Sequence, residues 1–273
     1  MLNDIRTVGF IGLGEQGEPI AHNLVAAGFD VLAFDVRDEA LSSFVRAGGR
    51  RAASVADAAS EVPVIFICVV NDDQLRQVME GEEGLLANML AGGIIVGNST
   101  VSLAIIQELA PRAADAGIEL LDAPLTGGGA GAVARRLVYF VGGSASAIDV
   151  VEPLLNVSAT RIIRVGESGN GIRAKLMHQL ILSGNFVAAS DGWRLGRSYG
   201  LSDDIIKDVI VSGSARSIAA EYYPDRELSD NGRMMIAKDL GLCMSESERL
   251  GINLESASIF QEMLMKTSSS SKM

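Results

Sequence analysis

Positive charge is in short supply. The 273 residues carry 23 Lys and Arg against 34 Asp and Glu, a formal net charge of −11 at pH 7. Nucleic acids and anionic membrane surfaces are recognised by clustered cations, so neither is expected as a partner. Any anionic ligand must be met by local positive groups. Cysteine is scarcer still. Cys68 and Cys243 both sit in apolar segments without metal-ligand spacing. They read as buried, reduced thiols, and no metal site is expected. Long apolar runs are absent too: none approaches the ~20 residues of a membrane span. Met1 to Arg6 is polar, and the apolar run after it is too short and glycine-broken for a signal peptide. The expectation is a cytoplasmic protein. Against these absences stand 48% hydrophobic and 21% charged residues, a globular composition with length enough for two domains.

Thr7 to Leu13 is a compact apolar run and reads as a buried parallel strand. Gly12-Leu13-Gly14-Glu15-Gln16-Gly17 follows at once. A helical period then runs from about Gln16 to Ala27, with Ile20, Leu24 and Val25 on one side and Gly28 as its stop. A second strand, Asp30 to Phe34, ends at Asp35. Strand, glycine turn, helix, strand and acid form the dinucleotide-binding fingerprint in the context it requires. Gly12 permits the tight turn, Gly14 lets backbone approach a pyrophosphate, and Gly17 lets helix pack on strand. The helix amino terminus offers N–H groups and positive dipole to phosphates. Asp35 is placed to accept bonds from the adenine-ribose hydroxyls and favours NAD, because a carboxylate repels a 2′-phosphate. Arg37 is able to swing onto such a phosphate, which keeps NADP open.

Strand and helix keep alternating. Further strand signals lie near Arg50 to Ala53 and at Pro63 to Val70, Gly93 to Val96, Glu119 to Asp122, Leu137 to Val141 and Arg161 to Val165. Asn71 and Asp72 cap a helix through Met79, and Ser102 opens one to about Ala116. In such sheets ligands bind beyond the carboxyl ends of the strands, where Val69, Val70, Ser99, Thr100 and the 124–129 loop fall. After Gly169 strand signals stop, and helical periods run through 170–198, 202–212, 233–250 and 253–266. The predicted architecture is an α/β Rossmann domain over residues 1–165, doubly wound and mostly parallel. An all-α substrate and dimerisation domain over 166–273 follows, built on a long interdomain helix. The Ser-rich tail, Thr267 to Met273, reads as disordered. Lys175, His178 and Gln179 lie three and four residues apart just past Gly169 and Gly171, so they share a helix face. An ammonium, an imidazole and an amide there look like a site; the ordinary alternative is a solvated Lys. The same helix is apolar around most of its circumference (Leu176, Met177, Leu180, Ile181, Trp193, Leu195), which predicts burial against a second subunit.

Four motifs resemble, in order and spacing, those of the β-hydroxyacid dehydrogenase family. They are Gly9-Phe-Ile-Gly-Leu-Gly with Gly17, Pro19, Ala21, Asn23 and Leu24; Asp122-Ala-Pro-Leu-Thr-Gly-Gly with Gly131-Ala132; Gly169-x-Gly171-x-x-x-Lys175; and Lys238-Asp-Leu-Gly-Leu. They span residues 7 to about 243. The resemblance implies a hydride transfer between NAD(P) and a small β-hydroxy acid, with Lys175 as general acid/base. It implies that Thr126, Gly127 and Gly128 hold the substrate carboxylate. Thr100 would lie against the nicotinamide end, and Lys238 would reach the cofactor. A homodimer or homotetramer is implied as well. Lys175-x-x-His178-Gln179, with Val69-Val70-Asn71, is similar to the L-threonate dehydrogenase branch. There His178 and Gln179 would bond the extra hydroxyls of a four-carbon sugar acid; otherwise His178 orients Lys175 or packs.

The chain also departs from the family pattern. Gln16 stands where Met is usual, Thr126 where Ser is usual, and Arg135-Arg136 where Gly-Thr is frequent. The two arginines read as solvated charge in a turn. The segment 214–232 and the proline-free Gly251-Ile-Asn-Leu are atypical. Two other readings compete. One is an imine reductase of the same architecture, which usually lacks the Lys. The other is a catalytically silent nucleotide-binding relative, against which the retained Lys175 and Lys238 speak.

Overall fold

The structure is a computed structural model that describes residues 5–223 and 230–266. The Ser-rich tail and part of the atypical 214–232 segment lie outside the described residues. The chain divides into two compact units, Met1–Lys175 and Leu176–Met273.

The first unit alternates strand and helix from its start. In order it holds β1 (Thr7–Ile11), α1 (Gly17–Ala26), β2 (Asp30–Phe34), α2 (Asp38–Arg46), β3 (Arg50–Arg51), α3 (Val55–Ser60), β4 (Val64–Ile67), α4 (Asp72–Met79), α5 (Leu85–Asn88) and β5 (Ile94–Gly97). Then come α6 (Leu103–Asp115), β6 (Glu119–Asp122), β7 (Leu125–Thr126), α7 (Gly128–Val133), β8 (Leu137–Gly142), α8 (Ala145–Asn156) and β9 (Ala159–Gly166). The sheet order is β3-β2-β1-β4-β5-β6-β8-β7, with β9 on β8. From β3 to β6 every pairing is parallel. The order reverses direction at β1 beside β4, which is the switch point where ligand crevices open in doubly wound sheets.

The buried parallel strands are apolar runs, as strands covered on both faces must be. Phe10 on β1 and Phe66 on β4 stack with ring centroids 5.7 Å apart, inside a core that also takes Ile20 and Leu24 of α1, Phe44 of α2 and Tyr139 of β8. Polar residues mark the helix starts. Asn71 accepts from the Gln74 N–H at 2.9 Å, and Ser102 from Ile105 at 3.2 Å, so each satisfies one otherwise unpaired first-turn donor.

Two elements depart from the sequence reading, which had only a loop at 124–129. β6 and β7 pair with β8 in one antiparallel register, Asp122 opposite Gly142 and Leu125 opposite Tyr139. They are one strand interrupted at Pro124, whose carbonyl still accepts from Phe140 at 2.9 Å. α7 forms from Gly-Gly-Ala-Gly-Ala-Val, a poor helix sequence. Tertiary bonds outweigh that propensity: the Asn23 side chain on α1 donates to the Ala132 carbonyl at 2.8 Å. The reading of Cys68 as buried also needs correction, since it is only partly so, whereas Cys243 is buried.

α9 (Asn170–Ser198) begins in the first unit and runs on into the second. There follow α10 (Asp203–Ser212), α11 (Ile218–Tyr222), α12 (Asp230–Leu250) and α13 (Glu255–Lys266). Ile236, Leu240 and Leu264 form one buried apolar cluster of the second unit, with Leu180, Phe186, Val187 and Phe260 against them. Gly184 admits the Phe260 ring, which would lie 2.9 Å from a Cβ there. Trp193 is buried, and its indole N–H donates to the Ala220 carbonyl at 3.4 Å. Met177, Ile181 and Leu195 of α9 are exposed on the single chain. Among the described residues no helix is long and apolar enough to cross a membrane, and no His, Cys, Asp and Glu group is arranged to hold a metal ion.

Candidate active site

The turn after β1 is shaped by three glycines for two different reasons. Gly12 has φ +94° and donates to the Phe34 carbonyl at 2.9 Å, and a Cβ there would strike the Cys68 carbonyl. A Cβ on Gly17 would strike the Gly12 carbonyl oxygen. The protein's own backbone therefore requires both. Gly14 has no atom within 4 Å of the place a Cβ would take. Nothing in the protein demands glycine there, whereas a pyrophosphate laid on the turn and the amino terminus of α1 would. The residues present thus fit a dinucleotide. The Leu13 side chain is buried in the core, so only its backbone is available to a ligand.

Asp35 closes the far side of this crevice. It is buried, and its Oδ2 accepts from the Leu13 N–H at 2.7 Å while Oδ1 accepts from the Arg37 N–H at 2.8 Å. The Arg37 guanidinium donates to both oxygens, at 3.0 and 3.1 Å, and to the Leu13 carbonyl at 2.8 Å. Burial opposes the charge on Asp35, but the Arg37 and Leu13 bonds prevail and hold its carboxyl below the usual range. The sequence treats Asp35 and Arg37 as separate determinants. The structure couples them, because the Arg37 guanidinium lies on both oxygens of the Asp35 carboxylate.

The other strand ends meet around the same crevice. Beyond β4, the Val69 N–H donates to Ser99 Oγ at 2.8 Å, tying it to the end of β5; Val70 beside it is exposed. Asn98, which the sequence does not single out as a site residue, is buried and donates through Nδ2 to the Ala123 carbonyl at 3.0 Å. Thr100 follows Ser99 half-buried. Gly129 faces the cofactor turn, where a Cβ would come within 2.9 Å of the Glu15 carbonyl oxygen. Gln16 occupies the N-cap position of α1 without a side-chain capping bond. Arg135 and Arg136 are exposed in the turn after α7, in keeping with the reading of solvated charge, and Arg135 carries one further tie. It takes a left-handed φ of 55°, and its Nε donates to Asn23 Oδ1 at 3.2 Å.

Lys175 stands where this edge of the sheet turns toward α7. It is buried, and its Nζ donates to the Leu125 carbonyl at 2.7 Å. Thr126, Gly127 and Gly128 come next in the chain. Gly127 and Gly128 have φ of 120° and 62°, a backbone path open mainly to glycine. Asp122 is wholly buried, and its carboxylate accepts from the Gly169 N–H at 2.7 Å and from Ile172 at 2.8 Å. Burial pushes this carboxyl up to about 6, against the N–H bonds that pull it down.

In the second unit, Gln179 Nε2 donates to Asp239 Oδ2 at 2.6 Å, and Lys238 Nζ lies 3.0 Å from Asp239 Oδ1. His178 Nδ1 is 3.2 Å from Gln179 Oε1. Four of these side chains form one chain of contacts around buried Asp239. The sequence reading has three of them and lacks Asp239, although it stands inside the quoted Lys238-Asp-Leu motif.

Known proteins match over nearly the whole length. A family model described as the NAD binding domain of 6-phosphogluconate dehydrogenase matches residues 7–166. Another, described as the NAD-binding of NADP-dependent 3-hydroxyisobutyrate dehydrogenase, matches residues 169–272. L-threonate dehydrogenase of Cupriavidus necator is 32% identical, covering 96% of this chain and 91% of that protein. 2-(Hydroxymethyl)glutarate dehydrogenase of Eubacterium barkeri is 34% identical, covering 90% and 84%. The solved structure of Mycobacterium tuberculosis 3-hydroxyisobutyrate dehydrogenase with L-serine has a TM-score of 0.86 at 26% identity, covering 98% of this chain and 95% of that one.

Three outcomes are expected. Gly14→Ala will weaken dinucleotide binding at least about tenfold, the equivalent of ~1.4 kcal/mol, in calorimetric titration, with an unchanged melting temperature. Arg37→Ala will weaken NADP binding by about tenfold, the scale of one charge-assisted hydrogen bond, and will not weaken NAD binding. The third concerns Asp122, whose raised pKa means that the folded protein holds a proton the unfolded chain has released. Its contribution is complete below the ordinary value of 3.8 and is lost as pH rises through about 6. Denaturant titrations from pH 4 to 7 will show that loss in the native protein and not in Asp122→Asn.

Proposed function

The chain belongs to the 3-hydroxyisobutyrate dehydrogenase-like family of oxidoreductases, which move hydride between NAD(P) and a small β-hydroxy acid, and on that premise we propose that Lys175 is its general acid/base. The supporting observation is the Lys175 ammonium held 2.7 Å from the Leu125 carbonyl, immediately before Thr126, Gly127 and Gly128. The nicotinamide ring, when bound, supplies the site that accepts or returns hydride. As the neutral amine, Lys175 Nζ takes the substrate hydroxyl proton in oxidation, and as the ammonium it gives that proton to the forming alkoxide in reduction. The Thr126 hydroxyl and the backbone N–H groups of Gly127 and Gly128 hold the substrate carboxylate, which orients the carbon that loses hydride.

Cofactor contacts fall to the turn Gly12, Leu13, Gly14, Glu15, Gln16 and Gly17, to Asp35 and Arg37, to Val69, Val70 and Thr100, and to Lys238. NAD is the preferred cofactor, with NADP admitted through Arg37. His178 and Gln179 meet further hydroxyls of the substrate, which favours a four-carbon sugar acid. This accords with the likeness to L-threonate dehydrogenase. Residues 1–165 serve the dinucleotide, and 166–273 serve substrate selection and dimerisation. The exposed Met177, Ile181 and Leu195 support a second copy against α9 in a cytoplasmic homodimer or homotetramer.

The test is initial rate with NAD and NADP over L-threonate, D-glycerate, 3-hydroxyisobutyrate and L-serine, for the native enzyme and Lys175→Ala. The variant is expected to lose about 10²- to 10⁴-fold in kcat, the range of one acid/base group, while cofactor affinity holds. Turnover that survives the substitution would remove Lys175 from the chemistry. A preference for 3-hydroxyisobutyrate over threonate would end the sugar-acid assignment.

A further inference from the structure

The geometry points to Asp122 as the positioning residue that aims Lys175, an inference that rests on the acid/base reading of Lys175. The first-turn N–H groups of a helix have no partner within the helix. Usually a Ser, Thr, Asn or Asp at the N-cap supplies one from nearby in sequence, as Ser102 does for α6. At α9 the acceptor comes from a strand. Asp122, at the end of β6, takes the Gly169 N–H on one oxygen and the Ile172 N–H on the other, across sequence separations of 47 and 50 residues.

The surroundings are built to this carboxylate. A Cβ on Gly142 would lie 2.5 Å from Asp122 Oδ1. One on Gly171 would strike the Asp122 carbonyl and come within 2.8 Å of Oδ2. Backbone therefore presses on the acid from β8 on one side and from α9 on the other, and only glycine permits either approach. Lys175 stands one helical turn beyond Gly171. Its Nζ is bound to the Leu125 carbonyl, three residues after Asp122 on the same interrupted strand. One stretch, 122–128, thus holds the first turn of α9, receives the Lys175 head group and continues into Thr126, Gly127 and Gly128. A local cap would secure the helix equally well, but it would not refer the lysine to the residues that hold the substrate. Asp122 does both, because the strand that carries it also carries them.

The test compares native enzyme, Asp122→Asn and Lys175→Ala for NAD affinity by titration, kcat, KM and the pH profile of kcat. Asn keeps the size but offers one acceptor oxygen where the carboxylate offers two. Asp122→Asn is expected to bind NAD as the native protein does, to lose at least about tenfold in kcat and to displace the pH limb that Lys175 sets. A purely structural cap would lower the melting temperature and leave kcat and the pH limb of the folded enzyme untouched, and that result would overturn the inference. If Asp122→Asn no longer binds NAD, Asp122→Glu takes its place: it keeps the charge one methylene out of place. The same fall in kcat is expected, and native turnover would again overturn the inference. Lys175→Ala separates the two levels. Turnover in that variant defeats the acid/base reading. Its collapse beside a fully active Asp122→Asn defeats only the positioning role.

Discussion

The bonds from the buried Asp122 carboxylate to the start of α9 join the two halves of the first unit's chemistry. They set a helix against the end of a strand at a distance that only Gly142 and Gly171 allow. Lys175 inherits its place from that junction, and Thr126 to Gly128 inherit theirs from the same strand. The cofactor turn is fitted to the far end of this arrangement. Gly129 of α7 packs on Glu15, and Asn23 of α1 binds the Ala132 carbonyl and, at 3.0 Å, Ser158 Oγ. A shift of α7 would therefore move the glycine turn as well. Precision of this kind suits a reaction in which hydride and proton leave one carbon–oxygen unit in fixed directions.

Charge is handled with equal economy. A chain of net charge −11 must receive a pyrophosphate and a carboxylate. On the proposed reading it does so mostly with backbone N–H groups, at the amino terminus of α1 and along Thr126 to Gly128, which attract an anion without adding formal charge. Cations are few and restrained: Arg37 on Asp35, Lys175 on Leu125, Lys238 on Asp239. Each is held by an acceptor, which restricts the motion of its side chain.

The parts that could be read from the sequence are those set by local rules. The segment from Thr7 to Asp35 is legible because strand, turn, helix and acid each follow from neighbouring residues. Gly169 and Gly171 before Lys175 signal a turn in the same way. What escapes is set by long-range pairing. β7 has two residues and no apolar period, and it exists because β8 lies beside it. α7 is too rich in glycine to be called from propensity, and α1 holds it. The Asp122 cap arrives from 47 residues away, so no N-cap pattern at Gly169 announces it. Asp239 was visible as a letter in a motif, but its bond to Gln179 spans 60 residues.

Arg37 is the instructive case, because its residue type was legible and its arrangement was not. A carboxylate at the end of β2 discriminates against a 2′-phosphate by repulsion and by offering ribose hydroxyls an acceptor. Here that acceptor already carries the guanidinium, and the Leu13 N–H takes part of what remains. A ribose that binds Asp35 must displace some of those bonds, so the net gain for NAD is the difference between two sets of hydrogen bonds to one anion. A 2′-phosphate meets the same carboxylate but recovers part of the repulsion when the exposed Arg37 turns toward it. If Asp35 and Arg37 meet the adenine ribose as proposed, the two cofactors are separated by less than an uncovered Asp35 would separate them, and the residue that narrows the gap is Arg37.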